Sequence, residues 1–244
     1  MIEPILFSAA HVHTFLGPTL LTNASGFFFE RDGRLFLVTS GHVMHDAPSG
    51  HHPDRVEIGL HVDPANAAAS TGFSIPLYRA EKRLWKQTSD RGGEIDVALI
   101  EIDRSAFPAT ATYRAFTPAH LPAPEEHVAL GSSLVVVGFP LGFQDTLHHM
   151  PVARQAIVAS SFGLRFDGMG YFLTDARTHR GTSGAPVVMR VEGRDGVTPD
   201  MPWLLLGIHS ARLDVGTRDL ARDEALGLNC AWYADVLLTL TSLP

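Results

Sequence analysis

A serine stands in a glycine-flanked turn at Arg180-Gly181-Thr182-Ser183-Gly184-Ala185-Pro186, just ahead of the apolar run Val187-Val188-Met189. Such a turn exposes the hydroxyl. It also lets consecutive backbone N–H groups converge on one point, as is needed to hold the oxyanion formed when a serine attacks a carbonyl. The segment alone reads equally well as an ordinary Gly/Ser turn, so other residues must decide. A serine hydroxyl is a weak nucleophile at neutral pH and needs a base. His42 is presented for that role in Leu37-Val38-Thr39-Ser40-Gly41-His42-Val43, at the end of a strand pattern that would hold an imidazole rigidly. Among 13 histidines, one taken in isolation is more simply structural. The base in turn needs a buried carboxylate to set its tautomer. Asp96 opens Asp96-Val97-Ala98-Leu99-Ile100-Glu101-Ile102, an acid at the mouth of a strongly apolar strand; alone it reads as a surface aspartate that begins a strand.

The elements that must position these residues are short and numerous. Strand signals recur at 26–30, 34–39, 56–62, 72–78, 96–102, 132–137, 152–159, 171–173, 185–190, 203–208 and 226–232, rich in β-branched and aromatic residues and bounded by Gly, Pro, Asp or Ser. Long helical periodicity is nearly absent. The best helix candidate is Ala234 to Leu240, with Asp235 in its first turn. The expectation is an all-β chain with a terminal helix. Between Arg104 and Glu126 the pattern breaks into a Pro- and Ala-rich stretch, which reads as the connection between two units, 1–118 and 119–244. His42 and Asp96 then belong to the first and Ser183 to the second. No internal repeat of fixed period is visible.

Composition narrows the function classes. The 244 residues are 45% hydrophobic and 18% charged, with a formal net charge of −7 and scattered basic residues. No Lys/Arg stripe suited to nucleic acid exists. The apolar runs at 134–137 and 203–208 are far shorter than the roughly 20 residues needed to span a bilayer. Neither nucleic acid nor membrane is expected as a partner. The single cysteine, Cys230, excludes an intramolecular disulfide, and residues 1–10 lack a basic region followed by an apolar stretch of signal-peptide length. Both point to a cytoplasmic setting.

The order His42, Asp96, Ser183 is the order of the chymotrypsin-type triad and differs from those of subtilisins and α/β hydrolases. The sequence resembles a trypsin-like serine protease, within that fold most closely the protease domain of the bacterial HtrA (Deg) group, with glutamyl endopeptidases as another near relative. Thr39-Ser40-Gly41-His42-Val43 resembles the histidine motif and Asp96-Val97-Ala98-Leu99-Ile100 the aspartate motif. Thr174-Asp175-Ala176 followed by Gly181-Thr182-Ser183-Gly184-Ala185-Pro186 resembles the serine motif. Gly138-Phe139-Pro140-Leu141-Gly142 and Gly207-Ile208-His209-Ser210-Ala211 are similar to two further landmarks, so the likeness runs from about Gly26 to Leu240. The resemblance implies two packed six-stranded Greek-key β-barrels, peptide-bond hydrolysis on protein or peptide substrates, and no cofactor. It implies an oxyanion hole at the N–H groups of Gly181 and Ser183 and a substrate-pairing strand from Ser210 to Arg212. The chain stops soon after the protease region, so PDZ-dependent chaperone activity and cage assembly are not expected to carry over. Thr182 precedes the serine and cannot ion-pair with a freed N-terminus, so activation of the digestive zymogen kind is not expected.

In that fold the pocket for the side chain preceding the scissile bond is lined by the residue six before the nucleophile, Arg177, and by the segment His209-Ser210-Ala211. A guanidinium and an imidazole facing one pocket would favour an acidic side chain. A small apolar preference is the competing expectation, as in HtrA proteins. Two rival readings remain beside catalysis: an inactive peptide-binding protein on the same fold, and metal binding through His45, His51 and His52 or His148 and His149. No histidine pair here has helical metal-ligand spacing or a cysteine partner. Cys230, in an expected buried strand without a base nearby, is the weakest nucleophile candidate.

Overall fold

The computed structural model describes residues 2–213 and 227–242. Among the described residues seventeen strands run in chain order: β1 Ala9–Leu16, β2 Thr19–Arg31, β3 Arg34–Thr39, β4 Arg55–His61, β5 Ser70–Pro76, β6 Tyr78–Arg79, β7 Lys82–Arg83, β8 Trp85–Lys86, β9 Ser89–Asp90, β10 Gly93–Glu94 and β11 Ala98–Glu101 form the first half. The second half holds β12 Ser133–Gly138, β13 Val152–Val158, β14 Tyr171–Ala176, β15 Pro186–Arg190, β16 Trp203–Arg212 and β17 Leu228–Tyr233. The first residue of the strand expected at 226–232 lies outside the described residues.

The all-β architecture with a C-terminal helix is as expected. The second half closes as a six-stranded barrel, β12-β13-β14-β17-β16-β15. The first half differs in detail: its ladder runs over seven strands, β5-β4-β1-β2-β3-β11-β8, rather than six. Both halves repeat one Greek-key plan. β4 returns to pair with β1 and β11 with β3, as β15 pairs with β12 and β17 with β14. β1 carries His11 and His13 among apolar and β-branched neighbours and was not among the expected strands.

Side-chain alternation explains the dense apolar runs. In β2, Phe27 and Phe29 point to a cluster shared by the two halves while Phe28 points into the first sheet's own core. In β3, Phe36 and Val38 face the shared cluster, and Leu35 and Leu37 the other side. β16 splits likewise, with Leu205 and Ile208 in the shared cluster and Leu204 and Leu206 inside the barrel. Successive residues point to opposite faces, so a strand buried on both faces reads as an unbroken hydrophobic run. Each fully buried Phe or Leu contributes about 1.5–3 kcal/mol, which is what holds the two halves together without disulfides.

The helix Val236–Ser242 starts one residue after Asp235, not at Ala234, and buries Leu237 and Leu240 in the shared cluster. Its C-terminal end is tied to the first sheet. Arg31 at the end of β2 donates to Leu238 O (2.8 Å), Thr241 Oγ1 (3.0 Å) and Ser242 Oγ (3.1 Å). A guanidinium at a helix C-terminus meets the free carbonyls and the negative end of the helix dipole.

Candidate active site

The site lies where the two halves meet, and strand register brings its first two residues together. β11 pairs antiparallel with β3, Ala98 opposite Thr39 and Leu99 opposite Val38. Continuing that register past the strand end sets Asp96 opposite Gly41, beside His42 in the one-turn helix Gly41–Met44. One carboxylate oxygen of Asp96 accepts the His42 backbone N–H at 2.8 Å and the other meets His42 Nδ1 at 2.8 Å. An ionised carboxylate only accepts, so Nδ1 carries the proton and Nε2 is left as the base. Gly41 makes room: a Cβ there would lie 3.0 Å from Asp96 Oδ1 and against the amide of Gln87. Gln87 is itself anchored to Ile95 O at 2.9 Å.

The electrostatics follow. Burial of the His42 ring opposes its protonation, but the bond to Asp96 and the negative charges of Asp96 and Asp46 outweigh burial and hold its pKa above the ordinary histidine value. Burial pushes Asp96 up, but its bonds and charge interaction with His42, with the Ser210 hydroxyl, hold it below the usual carboxylate range. The pair thus favours a charged Asp96, and His42 takes up its proton at a higher pH than a free imidazole does.

The serine turn connects β14 to β15. Gly181 has φ +88° and Gly184 φ +85°, left-handed conformations costly for a residue with a Cβ. At Gly184 a Cβ would also collide with Ser25 O and Thr39 Oγ1. Gly184→Ala is therefore expected to destabilise the fold by about 2–4 kcal/mol, strain plus overpacking, read as a lowered urea midpoint; an unchanged midpoint would refute the packing account. Within the turn the N–H groups of Thr182, Gly184 and Ala185 donate to His179 O, His209 O and Thr182 O. Those of Gly181 and Ser183 have no acceptor among the described residues. Leu141 N–H donates to Arg180 O at 2.5 Å. A trans peptide sets C=O and N–H in opposite directions, so this bond turns the Gly181 N–H away from Leu141.

Ser25 ties the first sheet to that turn. Its hydroxyl donates to Gly181 O (2.8 Å) and accepts from Phe139 N–H (2.9 Å), and its N–H donates to Ser183 O (2.9 Å). Ser210 joins the serine to the His–Asp pair. Its hydroxyl donates to Asp96 Oδ2, and its carbonyl accepts the Ser183 hydroxyl at 2.9 Å. Ser183 Oγ is bonded to that carbonyl and not to His42. Ser25 and Gln87 carry no local mark in the sequence, and Leu141 stands out only as part of the Gly138–Gly142 landmark; what each does depends on a residue distant in the chain.

The two residues expected to line the specificity pocket differ in setting. Arg177 is exposed, whereas the His209 ring is buried, with Nδ1 lacking any partner. Burial, then the charge on His42, lowers the His209 pKa to about 4, so the ring is neutral at pH 7. Ser210 is buried and Ala211 exposed at the end of β16. Among the described residues no group of three His, Cys, Asp or Glu is arranged to hold a metal ion. His45 and His52 pair with each other (Nδ1 to Nδ1 3.2 Å), His51 meets Val43 O, and His148 meets Asp145. Cys230 is half-buried, and burial pushes its thiol up to about 11, leaving no thiolate at neutral pH.

Residues 24–194 match the family described as the trypsin-like peptidase domain. The chain is similar to the solved structure of Rv3671c from M. tuberculosis H37Rv, a serine-to-alanine mutant in its inactive form. Identity is 15%, with 97% of this chain and 86% of that one covered, and a TM-score of 0.49. It is similar also to the Rv3671c protease in its inactive form, at 14% identity, 97% and 88% coverage and a TM-score of 0.50, a likeness of fold. No curated protein matches.

Proposed function

The chain belongs to the trypsin-like peptidase domain family, and on that premise we propose that it is a serine endopeptidase with Ser183 as nucleophile, His42 as general base and Asp96 as the group that orients it. The observation that carries this reading is the grip of one carboxylate on both the backbone and the ring of His42, which leaves Nε2 free beside a serine turn with two unengaged N–H groups. Ser183 Oγ rotates from the Ser210 carbonyl to His42 and bonds to the substrate carbonyl carbon as its proton passes to Nε2. The oxyanion is held by the Gly181 and Ser183 N–H groups. The C–N bond breaks as His42 returns the proton to the departing amine, and water repeats the sequence to release the acid. No cofactor enters any step. Fluorophosphonate labelling at Ser183, abolished by Ser183→Ala, tests the reading.

One observation favours a second reading. The Ser183 hydroxyl is engaged by Ser210 rather than by His42, a placement in which the serine is not activated, which suits an inactive peptide-binding protein. Absence of labelling together with retained peptide binding would select it.

For the residue preceding the scissile bond, the proposal is an acidic side chain. Its support is the place of His209 on β16, next to Ser210 and bonded through its carbonyl to the Gly184 N–H of the serine turn; the ring, neutral at pH 7, would read the acidic side chain through an uncharged N–H. Arg177, being exposed, contributes nothing to that support. Peptides with Glu are expected to be cleaved at least tenfold faster, as kcat/KM, than those with Gln or Val, and His209→Gln to remove the difference. A preference for Val or Ala unaltered by His209→Gln sinks this proposal.

A further inference from the structure

Four successive carbonyls, Arg180 to Ser183, govern where the serine turn points its N–H groups, and each accepts a hydrogen bond. Leu141 N–H meets Arg180 O (2.5 Å), the Ser25 hydroxyl Gly181 O (2.8 Å), Ala185 N–H Thr182 O (2.9 Å) and Ser25 N–H Ser183 O (2.9 Å). Ser25 thus supplies two of the four donors. It also supports a third, since its hydroxyl oxygen accepts Phe139 N–H at 2.9 Å, two residues before Leu141. Ser25 O accepts the Thr39 hydroxyl at 2.7 Å, three residues before His42. The residue is fully buried, out of reach of solvent, and its N–H, its C=O and its hydroxyl, as donor and as acceptor, are all engaged.

Glycine adopts positive and negative φ at nearly equal cost, so Gly181 and Gly184 give the turn a choice of paths. Bonds to its carbonyls must select one. Gly181 O belongs to the 181–182 peptide, which lies between the N–H of Gly181 and that of Ser183, the two without an acceptor among the described residues. A peptide is planar, so fixing its oxygen limits the rotation of both neighbours. Without the Ser25 hydroxyl, Gly181 O and Phe139 N–H would both lose their partner in a buried place, and rotation of the peptide toward another donor would relieve that cost. Such a rotation carries the Gly181 or Ser183 N–H with it. We propose that Ser25 is a positioning residue for the oxyanion hole: its hydroxyl, bonded at once to Gly181 O and Phe139 N–H, holds the turn in the conformation that leaves the Gly181 and Ser183 N–H groups free for the substrate's oxyanion. The proposal rests on the serine-endopeptidase reading of the same site. Ser25 acts through the turn, not on the substrate.

Deleting one oxyanion donor outright costs about a hundredfold to a thousandfold in kcat. Ser25→Ala leaves both donors in the chain but unfastened, so kcat should fall at least about thirtyfold while KM changes less than about threefold, the mark of an interaction made only in the transition state. A peptide aldehyde ending at the cleaved residue reads the hole directly. Ser183 Oγ bonds to the aldehyde carbon, its proton passes to His42, and the carbonyl oxygen becomes an oxyanion on the two N–H groups. The inhibition constant of the aldehyde should rise by about the same factor as kcat falls in Ser25→Ala. The uncleaved peptide, fluorescently labelled and titrated by anisotropy onto Ser183→Ala chains with and without Ser25→Ala, should bind with affinities that differ less than about threefold. Loss of the fold would weaken both alike. Ser25→Cys is the second variant: its thiol fills the site but bonds weakly, so the chain should remain folded by circular dichroism and still lose at least about tenfold in kcat. Either variant, folded and with kcat and aldehyde affinity matching wild type, overturns the proposal, as does a loss confined to KM and peptide affinity. A wild type that neither cleaves peptides nor takes up the aldehyde overturns the endopeptidase reading and the positioning role with it. A wild type that does both, matched by Ser25→Ala, overturns the positioning role alone.

Discussion

Ser183→Ala is expected to lower peptide hydrolysis by about a millionfold in kcat, because the groups of a triad act as one unit and removing the nucleophile removes the acyl-enzyme route altogether. The fold should be nearly unaffected. The hydroxyl makes one hydrogen bond, to Ser210 O, so its loss costs about 1 kcal/mol, while the turn is held by backbone bonds from Thr182, Gly184 and Ala185 and by Ser25. Steady-state hydrolysis of a cleavable peptide, beside urea denaturation of the same preparations, separates the two effects. A variant that keeps a tenth of the wild-type rate would remove Ser183 from the mechanism.

Asp96→Asn is expected to lower kcat by about ten-thousandfold, although the replacement has nearly the same volume. The loss comes through His42. An amide can donate to Nδ1, which favours the tautomer carrying its proton on Nε2, the wrong form to accept one from Ser183. The pH profile provides the second readout. In wild type, Asp96 raises the His42 pKa despite burial of the ring, and only the neutral ring is a base. The rate should therefore fall tenfold per pH unit below a value above 6.5, the ordinary histidine pKa. In the asparagine variant the raising bond and charge are gone while burial remains, so the acid limb of the residual rate moves to lower pH. An unshifted limb would mean that Asp96 does not govern the titration of His42.

The first prediction rests on a signal legible in the local sequence, the second on a contact visible only in the strand register. Glycines on both sides of Ser183 marked a turn, and both have positive φ. The strand runs were legible because both faces of β2, β3 and β16 are buried, making their residues nearly uniformly apolar. β1 was missed because His11 and His13 interrupt its apolar pattern, and the structure buries His11 by stacking it on Phe139 with ring centroids 4.5 Å apart. The settings of Arg177 and His209 were not legible in the same way: position relative to the nucleophile names a segment, but not that Arg177 is exposed while the His209 ring is buried.

What the sequence by itself determined was the class of fold and the three residue types with their local settings, since these depend on hydrophobic period, turn chemistry and order along the chain. What only the tertiary structure decided was how residues far apart in the chain share one site. The β3–β11 register sets Asp96 against both the backbone and the ring of His42. Packing of the two halves brings Ser25 onto Gly181 O, and the bulged end of β16 places Ser210 between Asp96 and Ser183. The repeated Greek-key plan is likewise visible only in space. The physical reason is common to all of these: hydrogen bonds between groups 27 to 156 residues apart, and strand pairings made across long loops, leave no periodic trace in the chain, because either partner alone is an ordinary serine, glycine or aspartate until packing removes the water between them.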